Sequence, residues 1–103
     1  MEGVQLRLDE KGAGAFYIVE DGEQVGEMVI GINKKVLTVY HTEVSKMAEG
    51  KGLAKKLLLS MVSYARQNGL KVIALCPFVH LQFRRHPDEY NDIWLRSEAG
   101  STS

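Results

Sequence analysis

Apolar residues alternate with polar ones in the first part of the chain and recur every three or four residues in the second. Val4-Gln5-Leu6-Arg7-Leu8 opens with strict alternation, the period of a strand that buries one face. Gly12-Ala13-Gly14 interrupts it, and Ala15-Phe16-Tyr17-Ile18-Val19 resumes as a β-prone run. Asp21-Gly22 is a strong hairpin dipeptide, because both residues tolerate the left-handed backbone that such turns need. A third strand is predicted from Val25 to Ile32. Asn33-Lys34-Lys35 supplies the next turn, and Val36-Leu37-Thr38-Val39-Tyr40-His41-Thr42 is the most β-prone stretch of all. Strands joined so briefly imply an antiparallel meander of about four.

The period then changes. Leu53, Ala54, Leu57, Leu58, Met61, Val62 and Ala65 form a helical stripe, with Lys55, Lys56, Ser60, Ser63 and Gln67 on the other side. Asn68-Gly69 stops the helix. Val72-Ile73-Ala74-Leu75-Cys76 is wholly apolar, as in a strand buried on both faces. Pro77 can open a helix over residues 78–85, halted by His86-Pro87. Tyr90 and Trp94, four apart, are expected on one face of a final helical turn against the sheet. A strand–helix–strand crossover makes 72–76 parallel, and adjacent, to 36–44. The expected fold is α+β: the meander, the crossover with its parallel strand pair, and a C-terminal helix. Residues 1–96 form one domain and 97–103 a polar tail that frays.

Composition narrows the class. The chain has 103 residues, 45% hydrophobic and 25% charged, enough for one globular core. Residues 1–6 lack the basic start and apolar run of a leader, and no stretch is apolar enough to span a membrane. A single cysteine excludes an internal disulfide or a cysteine metal cluster, and a cytoplasmic location is expected. Net charge is zero, yet residues 46–85 carry +7. A basic segment inside a neutral protein suits a compact anionic ligand better than nucleic acid. A solvated lysine-rich helix face would give the same count.

The chemistry concentrates between Val44 and Leu53. This loop follows a strand, contains Gly50 and Gly52, and runs straight into the long helix. Glycines let backbone amides approach a phosphate, and a helix N-terminus offers free N–H groups and positive potential. It is not a Walker loop, lacking the upstream glycine and the Ser or Thr after the lysine. Nor does it have the third glycine of a dinucleotide fingerprint.

Val44-x-x-x-x-Glu49-Gly50-Lys51-Gly52-Leu53-Ala54-x-x-Leu57 resembles the acetyl-CoA signature of the GNAT acetyltransferases, [Q/R]-x-x-G-x-[G/A]. His41-Thr42-Glu43-Val44, Cys76-Pro77-Phe78-Val79 and His86-Pro87-x-x-Tyr90 add a likeness to the minimal YjdJ-like members, covering roughly 15–94. Glu49 departs from the superfamily's usual Gln or Arg. The resemblance implies acetyl-CoA as acyl donor and an amine, of a small molecule or a protein, as acceptor. It implies a donor site at Val44, Glu49, Gly50, Lys51, Gly52, Leu53, Ala54 and Lys55, with pyrophosphate on the loop amides. Pantetheine would then lie between the strands ending near Val44 and Cys76. Lys56, Arg84 and Arg85 are further candidates for the phosphates.

Transfer to an amine needs a base, oxyanion donors and an acid for the leaving thiolate. Cys76 and His41 are the candidate catalytic residues. A thiol beside an imidazole can become a nucleophilic thiolate. Equally, Cys76 reads as a small buried hydrophobe and His41 as a strand-end imidazole bonded to backbone. GNAT proteins often use a tyrosine in the helix after this strand, but Phe78-Val79-His80-Leu81-Gln82-Phe83 has none. His80 and His86 lack paired metal-ligand spacing, so no metal is expected. Met28, Met47 and Met61 read as core or edge fillers. An acetyltransferase is the reading taken; a non-catalytic CoA-binding module is the alternative.

Overall fold

A computed structural model describes residues 3–96. Four antiparallel strands come first: β1 (Gln5–Leu8), β2 (Ala13–Glu20), β3 (Glu23–Asn33) and β4 (Val36–Val44). A single 3-10 turn (Lys46–Ala48) leads to helix α1 (Leu53–Gln67), then β5 (Lys71–Ala74), α2 (Pro77–Arg85) and the short α3 (Pro87–Tyr90). The sheet order is β1-β2-β3-β4-β5, with β5 parallel to β4. Both expectations from the pattern, the meander and the adjacent parallel pair, are met. The predicted tail at 97–103 lies outside the described residues.

Register explains the core. Phe16 faces Met28 and Met28 faces Thr42, while Ile30 faces Val39 and Val39 faces Ala74. Directly opposed residues share a face, and this one lies against α1: a side-chain carbon on Gly26 would meet Leu57 at 3.4 Å. Phe16, Met28, Ile30, Leu37 and Val39 are fully buried there with Leu57, Leu58 and Met61 of α1. The turn at Asp21-Gly22 has φ of 51° and 81° at its two central residues, both left-handed, as a tight hairpin needs.

The second half departs from the pattern in four places. β5 ends at Ala74, and Leu75 is exposed rather than buried on both faces. The Leu75 and Cys76 amides both donate to the Val39 carbonyl at 3.0 Å, which turns the chain out of the sheet and into α2. Trp94 is not helical; it bridges Val72 in parallel, extending the sheet edge beyond β5, while Tyr90 is buried against Phe83. Met47 is 91% exposed, so only Met28 and Met61 are core fillers. Ser60, expected on the polar side of α1, is buried.

A polar clamp fixes the segment after α3. Arg66 of α1 donates to both Asp92 carboxylate oxygens (2.9 and 3.1 Å) and to the Glu89 carbonyl (2.6 Å), and Lys71 Nζ donates to the Asp92 carbonyl at 2.6 Å. The hydrogen bond to Arg66 holds the Asp92 carboxyl below its ordinary range, and the same bond raises Arg66. Burial pushes the Tyr90 hydroxyl up.

Candidate functional site

The loop from Val44 to Leu53 is held by its own backbone. Ser45 accepts from the Met47 amide at 3.3 Å and starts the 3-10 turn, and Ala48 is buried beneath it. Gly50 and Gly52 both take left-handed φ, 90° and 73°, where a side chain costs about 1–2 kcal/mol. A side-chain carbon at either would meet nothing within 4 Å, so the glycines serve conformation and leave open space above the loop. Gly52 caps α1 without any side-chain hydrogen bond, and the first turn holds no acidic residue. The first helical amides therefore face that space with no side-chain cap and no acid of their own turn, among the described residues, to neutralise them. This is the arrangement a phosphate fits.

Beside the loop the sheet divides. β5 pairs with β4 only from Val36 to Val39. β4 continues to Val44, bonded to β3 on one side and, among the described residues, without a strand on the other. Residues 40–44 thus present a free strand edge that leads from the end of β5 to the glycine loop. An extended ligand carrying amides finds backbone partners along such an edge.

A bulge sets which side chains serve each side of that edge. Val29 pairs with His41 and Ile30 with Val39, leaving Tyr40 as the extra residue. Tyr40 lies over Gly31, 3.2 Å from where a side-chain carbon would sit. His41 and Glu43 oppose Val29 and Glu27, on the face away from α1, whereas Thr42 opposes Met28 on the α1 face. His41 Nε2 lies 3.5 Å from Glu43 Oε2, both side chains exposed. Cys76 is 2% exposed, and its sulfur lies 3.3 Å from Thr42 Oγ1.

The expected partnership of His41 with Cys76 is therefore not what the fold builds. The bulge turns the imidazole to one face while the thiol meets the Thr42 hydroxyl on the other. Thr42 was missed because nothing in its residue type marks it; only the bulge and the β5–α2 junction bring it to the sulfur. Of the donor-site candidates, Val44 ends the free edge, and Glu49, Gly50, Lys51, Gly52, Leu53, Ala54 and Lys55 line the loop and first helical turn. Lys51 Nζ lies 3.4 Å from Glu20 Oε1, which ties the loop to the β2–β3 turn. Lys55 and Lys56 are exposed on the first turn of α1. Arg84 and Arg85 occupy the last turn of α2, where they complement the negative helix end.

The model of the GCN5-related N-acetyl-transferase family matches residues 15–93. The chain belongs to this GNAT family. A GCN5-like protein from Staphylococcus aureus is 30% identical, with a TM-score of 0.67 over 94% of this chain and 93% of that one. N-acetyltransferase 8B of Rattus norvegicus is 32% identical over 75 residues, 66% of this chain. The chain spans only 33% of that curated relative's length. Ribosomal-protein-alanine N-acetyltransferase from Brucella melitensis shares the fold, at 23% identity and a TM-score of 0.60 over 86% of this chain and 65% of that one. The division of β4 from β5 and the glycine loop before α1 thus sit in a GNAT fold.

Proposed function

We propose that the chain is an N-acetyltransferase that takes its acetyl group from acetyl-CoA and passes it to an amine. One observation carries this reading: a free strand edge at 40–44 runs into an uncapped, glycine-rich helix N-terminus. The pyrophosphate of the donor rests on the amides of Glu49 to Ala54, with Lys51 and Lys55 beside it. The pantetheine pairs with the β4 edge ending at Val44, and the thioester reaches the part of the edge bordered by Thr42 and Cys76. Acetyl passes first to Cys76 and then to the amine, which is a primary amine of a small molecule or of a protein. His41, on the exposed face with Glu43, is assigned no proton of the transfer between the two sulfurs.

The absence of a tyrosine from α2 favours a second reading, a module that binds acyl-CoA without turnover. Titration calorimetry with CoA tests what the two readings share, and an acetyl-transfer assay over varied amines separates them. Binding with no transfer above background hydrolysis leaves the binding module. No CoA binding to the folded protein overturns both.

A further inference from the structure

We infer that Thr42 is a catalytic residue whose hydroxyl carries the Cys76 proton to the departing coenzyme A sulfur. The inference rests on the proposal that acetyl-CoA binds along the β4 edge. Transfer to Cys76 forms a bond from its sulfur to the acetyl carbonyl carbon and breaks the bond from that carbon to the CoA sulfur. The cysteine starts as a thiol and CoA leaves as a thiol, so one proton must cross between two sulfurs. His41 cannot move it, because the bulge at Tyr40 turns the imidazole to the other face. α2 supplies no tyrosine.

The Thr42 hydroxyl is where a relay must be. Its oxygen is 3.3 Å from the Cys76 sulfur, within range for either atom to donate. Among the described residues it is the sulfur's one side-chain hydrogen-bond partner. Thr42 also sits on the strand edge left free beyond Val39. A hydroxyl is both donor and acceptor, so Oγ1 can accept the thiol proton while releasing its own to the CoA sulfur. The products are S-acetyl-Cys76 and CoA with its thiol intact. The balance is complete with acetyl-CoA as sole co-reactant. A threonine packed only for its shape would leave the methyl group as its important part.

Thr42→Val keeps that shape and removes the hydroxyl, and Thr42→Ser keeps the hydroxyl and removes the methyl. Wild type and both variants are titrated with CoA by calorimetry. Each is then incubated with acetyl-CoA, and acetylation of the Cys76 peptide is timed by mass spectrometry. The relay requires that Thr42→Val bind CoA as wild type does and acetylate on the order of a hundred-fold more slowly, with Thr42→Ser restoring the rate. Equal acetylation rates in wild type and Thr42→Val overturn the relay, as does a wild type that binds CoA but never acetylates Cys76. A wild type that fails to bind CoA overturns the proposed function beneath it.

Discussion

Val39 and Thr42 lie three residues apart on β4 and face the same side of the sheet. On a regular strand they would point to opposite faces. The extra residue Tyr40, between Val39 and His41, absorbs the odd step, so Val39 stays in the core and Thr42 arrives at Cys76. Deleting Tyr40 should restore regular pairing and leave Thr42 opposite Met28, because Val39 and Thr42 would then stand two residues apart and still share a face. The expected result is a folded protein that binds CoA as wild type does. Calorimetry on the deletion variant checks this, and an affinity at least about ten-fold weaker, or 1.4 kcal/mol, would show that the bulge itself shapes the site.

Gly52 separates conformational strain from ligand exclusion. Its φ of 73° disfavours any side chain, but space above it is open. Gly52→Ala should therefore lose about 1 kcal/mol of stability and retain CoA binding. Gly52→Glu should lose similar stability and nearly all binding, because a carboxylate then occupies and repels the phosphate position. Thermal melts and calorimetry on the two variants give the comparison; equal CoA affinities would remove the loop from the donor site.

The charges around the loop are exposed, so their effect must be screened by salt. CoA affinity should fall steadily as ionic strength rises from roughly 0.01 M to 1 M. Lys55→Gln should flatten that slope, and dephospho-CoA should bind more weakly than CoA if a lysine reaches the 3′-phosphate. Affinity insensitive to salt would mean that the +7 segment is only a solvated surface.

Asp92 gives a prediction about pH. Its carboxyl is held below its ordinary value of 3.8 by Arg66. The folded state then binds that proton less readily than the unfolded chain, so the contribution is full above 3.8 and is lost as pH falls through the folded value. Asp92→Asn should lower the melting temperature slightly at neutral pH, by a small amount because the pair is solvent-exposed. The gap from wild type should close below pH 3.8. A gap that stays constant down to strongly acid pH would show that the ion pair contributes nothing to the clamp.

The sequence by itself determined the order of elements, the antiparallel meander, the parallel β4–β5 pair and the glycine loop before α1. These follow from local signals: period two against period 3.6, turn dipeptides such as Asp21-Gly22, a helix stop at Asn68-Gly69, and the handedness of a crossover. It put Cys76 at the end of the buried strand, whereas β5 stops at Ala74 and Cys76 caps α2. It did not disclose where β5 stops, because Leu75 is as apolar as its neighbours, and the turn there is made by hydrogen bonds to a carbonyl on another strand. Nor did it disclose the companion of Cys76. His41 and Thr42 are adjacent in the chain, and alternation alone cannot say which faces inward. That was decided by one unpaired residue in the β3–β4 ladder, a property of two strands in register rather than of either sequence.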